Sequence, residues 1–317
     1  MAKTKRKTRR QAARPCPVQA PRKRRDASRV PRWVYALGSV ALVALFAGGA
    51  FLLAKEQAQS GSDGPAASAG LPNTPDYHSL LVAPTDTGHV FLGTHAGLYE
   101  SRDGGRSWTK AALAGQDAMN LADGEGETVW TAGHNVFAKS TDGGATWTDV
   151  RPDGLPSLDL HGFAVDPNDP ATLFAAVAGE GLYRSDDGGE SFEEVSSEVG
   201  GSVMALAVTD DGRMLAGDME QGLLASKDGG ETWQVAAEAE VMGLAINPAD
   251  PQTIVAGGPG ILRSSDGGRT WGQALALGQG AGPVAWSASD PEVGYAVGFD
   301  RQLYRTDDRG RSWRAVA

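Results

Sequence analysis

The chain has 317 residues, 41% of them hydrophobic, and a net charge of −10, which is enough apolar material for one large folded domain. Its single cysteine, Cys16, excludes an internal disulfide framework. The charge is split: residues 1–32 carry 13 Lys/Arg against one acid, giving +12, whereas residues 55–317 carry 16 Lys/Arg against 38 Asp/Glu, giving −22. That split predicts two compartments or two jobs, and the acidic part is expected to avoid nucleic acid as a partner.

Residues 1–32 read as a basic cytoplasmic tail, with no aromatic interleaving of the kind nucleic-acid binding uses. Contact with anionic lipid headgroups and a topology signal explain the charge more simply. Residues 33–54 follow with 22 residues and no charge. As a helix this run would span roughly 33 Å at about 1.5 Å per residue, enough for a hydrocarbon core of about 30 Å. Trp33 and Tyr35 suit the interface, and Lys55 closes the far end. The competing reading is a cleaved signal peptide; the length of the run and the lack of an Ala-x-Ala site close behind it weigh against this. The expected arrangement is a single-pass protein of the plasma or inner membrane, in contact with lipid through 33–54, N-terminus cytoplasmic and the acidic part extracytoplasmic. Residues 55–75, rich in Gly, Ser and Pro, read as a flexible tether.

From residue 76 onward the chain repeats. Six phrases align on a glycine pair: SRDGGRSW (101–108), STDGGATW (140–147), SDDGGESF (185–192), SKDGGETW (226–233), SSDGGRTW (264–271) and TDDRGRSW (306–313). Their closing aromatics, Trp108, Trp147, Phe192, Trp233, Trp271 and Trp313, recur every 38 to 45 residues. That interval is the length of a four-stranded propeller blade. Within each unit a short apolar strand leads to an Asp/Pro turn such as Asp166-Pro-Asn-Asp-Pro170, then a second strand, a Gly turn, a third strand, the repeated hairpin and a fourth strand.

The phrases match Ser/Thr-x-Asp-x-Gly-x-Ser/Thr-Trp, and residues 76–317 resemble the Asp-box (BNR) repeat β-propellers. That group includes sialidases, sortilin-type receptors, photosynthesis assembly factors and glycosyl-hydrolase-like bacterial proteins. The resemblance implies an all-β, six-bladed propeller; it says little about function, since one fold hosts many activities. Asp103, Asp142, Asp187, Asp228, Asp266 and Asp308 read as structural, accepting N–H bonds within the turn while glycine supplies φ > 0. The ligand spacing of a calcium loop is missing. Arg309 replaces the first glycine of the last phrase, which predicts a distorted turn there. Closure is expected by face-to-face packing of the first and sixth blades without a shared strand, unless residues 71–76 add an edge.

An antiparallel meander places the Asp boxes and Asp/Pro turns at one end of the ring. The starts of the first strands and the turns between strands two and three lie at the other, here called the top. The first-strand starts read Asp76-Tyr-His78, Asp117-Ala-Met119, Asp159-Leu-His161, Ser202-Val-Met204 and Glu240-Val-Met242, with the polar residue and the His or Met on one strand face. The turns between strands two and three add His95, His134, Glu220 and Asp300, so four of the five histidines are predicted on top, away from His89.

Three functions follow. A metal site could draw on His78, His95, His134, His161, Met119, Met204 and Met242; imidazole with thioether suits copper, imidazole with carboxylate suits zinc. A glycoside hydrolase could draw on Asp76, Asp117, Asp159 and Glu240 as its carboxylate pair. Sialidase-like chemistry would further need an arginine cluster, but Arg102, Arg106, Arg269, Arg309 and Arg311 lie within the Asp boxes, and the Arg-Ile-Pro signature is absent. The favoured reading is a non-catalytic propeller, held outside the membrane, that presents its top face to a protein, peptide or glycan. The acidic balance departs from the basic patch that the photosynthesis assembly factors would imply.

Overall fold

A computed structural model describes residues 68–199 and 201–317. The basic tail, the predicted membrane span over 33–54 and the tether up to residue 67 lie outside the described residues. Among those described, no helix is long and apolar enough to cross a membrane.

The described chain is all-β. It forms six antiparallel meanders of four strands in sequence order, and the first gains a fifth strand. The innermost strands are Ser79–Val82, Asn120–Asp123, Leu160–Val165, Val203–Val208, Gly243–Asn247 and Ala281–Trp286. Each touches its neighbours, and the first also touches the last, so the meanders close a ring. Neighbouring blades cover both faces of most of these strands, which explains apolar runs such as Val203–Val208. In the first, Leu80 and Val82 face blade six while Leu81 and Ala83 face blade two.

The core is divided into six clusters, one in each gap between blades. The closing gap packs Leu80, Val82, Val90, Leu92 and Trp108 of blade one on Ala285, Val293, Tyr295, Val297 and Leu303 of blade six. Closure therefore rests on face-to-face packing, as the sequence predicts. The extra strand is Ser68–Ala69, not 71–76. It pairs with Ser107–Ala112 on the outer edge of blade one and bridges nothing to blade six. Two polar contacts tighten the seam. The Tyr295 hydroxyl donates to the Thr87 carbonyl at 2.9 Å. The Arg301 guanidinium grips the Pro72 and Thr74 carbonyls and the Asn73 side chain, and it sits 5.6 Å from the Tyr77 ring.

The Asp boxes behave as structural hairpins. In the first, Asp103 Oδ1 accepts from the Ser101 hydroxyl and the Ser107 amide, and Oδ2 accepts from the Ser107 hydroxyl at 2.6 Å. The Trp108 indole N–H closes the turn on the Gly105 carbonyl at 3.0 Å. Gly104 and Gly105 have φ of 73° and 88°, which side chains resist. The same bonds recur around Asp142, Asp187, Asp228, Asp266 and Asp308. The indoles of Trp147, Trp233, Trp271 and Trp313 repeat the closing bond, while Phe192 fills its place without a donor. These donors hold Asp142 and Asp228 down to about 2, the Thr146 and Thr232 hydroxyls foremost.

The last box is not distorted. Arg309 adopts φ of 58° and the full bonding pattern survives, with its carbonyl accepting from Arg263 Nε at 2.8 Å. In five blades the amide at the first glycine position donates into the turn between strands one and two, as Gly104 N does to the Gly88 carbonyl. Asp boxes and Asp/Pro turns thus share one end, together with His89 and opposite the other four histidines.

Candidate functional site

At the top of blades one to three, four imidazoles and three carboxylates form one continuous arc. Asp76, His78 and His95 come from blade one; Asp117 and His134 come from blade two; Asp159 and His161 come from blade three. The backbone explains the convergence. The turn after each second strand packs on the entry to a first strand: the Ala118 amide donates to the Thr94 carbonyl, and the Asn135 amide to the Leu158 carbonyl at 2.7 Å. His134 forms an antiparallel bridge with Asp159. A turn histidine of one blade is thereby set over the carboxylate that opens the next.

The first joint is hydrogen-bonded throughout. Asp76 accepts from the His95 amide at 3.0 Å and meets His95 Nδ1 at 2.7 Å, and His78 Nε2 lies 2.8 Å from that same Nδ1. The second joint is Asp117, whose Oδ2 is bonded to His134 Nδ1 and lies 3.5 Å from His95 Nε2. Asp117 is 6% exposed, and its Oδ1 is buried without a hydrogen-bond partner. At the third joint His134 Nε2, His161 Nε2 and Asp159 Oδ1 meet at 3.1, 3.2 and 3.3 Å.

The electrostatics divide the arc. Burial, then the charge of His95, pushes His78 down to about 4, so it is neutral at physiological pH. Hydrogen bonds to Asp76 and Asp117 raise His95 and His134. Burial pushes Asp76 up, but His95 and His78 outweigh it and leave it below the usual carboxylate range; the His161 imidazole holds Asp159 below it too. A glycosidase acid needs the opposite shift.

The structure sorts the sequence candidates. Asp76, Asp117 and Asp159 converge with His78, His95, His134 and His161. Glu240, exposed at the entry to blade five, joins none of the three groups. Met119 is buried, Met204 and Met242 are half-buried, and the contacts that hold the arc run through imidazole and carboxylate. The donor set therefore favours zinc-like ions over copper. His89 lies apart, bonded to Glu100 at 2.9 Å. In blade four Ser202 donates to the buried Asp218, a pair that sequence reasoning misses because Asp218 closes an otherwise apolar strand. Beside the arc, a cleft of about 540 Å³ opens between blades one and two, lined by Gln116, Asn135, Phe137, Asp149 and Arg151 together with the arc residues.

Comparisons with known proteins agree with this architecture. Residues 75–218 match the family model described as photosynthesis system II assembly factor YCF48. A photosystem II assembly lipoprotein Ycf48 of Synechococcus sp. (strain CC9902) is 32% identical over 167 residues, 49% of this chain and 48% of that protein. A xyloglucanase of Paenibacillus sp. is 31% identical over 193 residues, 52% of this chain but only 18% of the enzyme. The chain thus spans about half the length of the curated assembly protein it matches. Among solved structures, YCF48 bound to D1 peptide superposes with a TM-score of 0.51 at 18% identity, covering 81% of this chain and 85% of that one.

Proposed function

From its place among the BNR-type, Asp-box propellers, we propose that this chain is a non-catalytic binding and assembly module that takes a protein segment or peptide on the top face of its ring. The observation that carries this is the extent of the match: residues 75–218 of the assembly-factor match contain the whole histidine–aspartate arc and both walls of the cleft beside it. A YCF48 relative of the same fold is bound to a peptide. The cleft has the size expected of a pocket for a short segment, and its lining includes Arg151, 69% exposed and 3.7 Å from Asp149. The apolar run 33–54 supports an anchor that holds the propeller at the membrane surface. The xyloglucanase similarity covers only 18% of that enzyme and is read as shared architecture.

The test is site-specific photo-crosslinking of the full chain in its native membranes. A probe at Asn135, in the cleft, is expected to capture a defined protein, and an Arg151→Glu change is expected to abolish the adduct. A probe at Val235, exposed on the outer strand of blade four, serves as the control. Adducts from Val235 with none from Asn135 would contradict the proposal.

A further inference from the structure

At the third joint of the arc a hydrogen bond accounts for one edge only, the 3.1 Å contact between His134 Nε2 and His161 Nε2. Asp159 Oδ1 is covered from solvent and poorly aligned for a hydrogen bond, although two imidazole nitrogens stand within 3.3 Å of it. The three atoms form a nearly equilateral triangle with edges of 3.1, 3.2 and 3.3 Å. Ligands about 2.0–2.1 Å from a tetrahedral ion lie about 3.3 Å from one another, whereas adjacent ligands of an octahedral ion at that bond length would lie about 2.9 Å apart. The triangle therefore matches one face of a tetrahedron.

The surroundings complete the arrangement. Asp117 accepts from His134 Nδ1, which fixes the tautomer that leaves Nε2 as a lone-pair donor aimed at the triangle. Asp117 is itself buried, so this support is rigid. The His134 and Asp159 side chains are 34% and 46% exposed, although Asp159 Oδ1 itself is covered. The other two groups differ. In the first, His95 Nδ1 is committed to Asp76 and the edges are uneven, at 2.7, 2.8 and 3.5 Å. In the middle group, His134 Nδ1 is committed to Asp117.

We propose that His134 Nε2, His161 Nε2 and Asp159 Oδ1 form a zinc-type site, with Asp117 as the positioning residue behind His134 and one coordination position facing solvent. The site does not depend on the partner reading, because it belongs to the chain alone.

Equilibrium dialysis of the metal-stripped full chain against Zn2+, followed by elemental analysis, tests it. The expected result is one zinc per chain, with affinity at least 100-fold weaker in an Asp159→Ala/His161→Ala variant. His78→Ala, outside the triangle, should retain the ion. Asp117→Asn should weaken binding about 10- to 100-fold without abolishing it. Cobalt loaded in place of zinc should show the intense visible absorption of a four-coordinate ion, and His161→Asn should lose that band while keeping its near-ultraviolet circular dichroism. Should the double variant fail to fold, this single variant decides. Less than stoichiometric zinc in the unmodified chain, equal affinity in the triangle variants, or loss of the ion in His78→Ala alone would overturn the proposal.

Discussion

Replacing Gly93 with alanine probes how closely neighbouring blades approach. A Cβ at Gly93 would stand 2.1 Å from the Ala118 carbonyl oxygen and 2.2 Å from Ser79 Oγ. The serine can rotate away, although it would forfeit its bond to that same carbonyl. The carbonyl cannot retreat without moving the entry to blade two, where the neighbouring Asp117 is buried. Overpacking against fixed backbone costs about 2–3 kcal/mol, toward the upper part of the range for such insertions. For a domain of this size that predicts a Tm lower by about 5–10 °C. Gly278, where an added methyl would meet no atom within 4 Å and φ is ordinary, is the control, and its alanine variant should melt within about 2 °C of the parent. Differential scanning calorimetry of the full chain reads both. A Gly93→Ala protein that melts with the control would refute the idea that bare backbone contact sets the spacing of these blades.

Three further outcomes are expected. Arg301→Ala frees the lead-in segment 71–76 from three backbone and side-chain bonds, so hydrogen exchange at Thr74, whose amide donates to Pro72, should accelerate at least tenfold while the outer strands stay protected. Asp123 is half-buried as a residue, yet its Oδ1 is sealed off without a partner, and burial raises its carboxyl to about 7. The folded state therefore holds this proton more tightly than the unfolded one, and stability from this group is full below about pH 4 and is lost as pH rises through 7. Asp123→Asn should consequently melt close to the parent at pH 4 and several degrees above it at pH 8, as thermal melts across that range would show. Arg309→Gly relieves a left-handed φ of 58° at the cost of an exposed 3.6 Å contact with Glu292, and a gain of about 1 kcal/mol is expected in chemical denaturation.

The repeat makes the fold legible because every blade carries the same local solution. A hydroxyl, a carboxylate, two turn glycines and an aromatic satisfy one another within eight residues, so the motif needs no tertiary context to be read. The site is legible in part for the same reason: equal blade positions converge, which brings Asp76, Asp117 and Asp159 together with four histidines. Periodicity alone places Glu240 and the methionines in the same ring, but it carries no information on how far apart opposite blades stand. The division of labour at His134, one nitrogen for Asp117 and one for the triangle, depends on side-chain rotation that spacing does not encode. The grip of Arg301 joins residues 227 to 229 positions apart, beyond the reach of any local pattern. Arg309 shows the opposite error: an unfavourable residue predicts a bent turn, whereas the surrounding bonds impose the turn on the residue.

The seam between the first and last blades has a kinetic consequence. Each hairpin forms from neighbours in sequence, but the Thr87–Tyr295 bond spans 208 positions, and the apolar faces of Leu80, Leu92 and Trp108 find their cover only when Val293, Val297 and Leu303 arrive. During synthesis those surfaces stay wet until the sixth blade has emerged. Ring closure therefore has to wait for the most distant contacts of the fold, and in that interval the open faces are exposed to aggregation and to proteases.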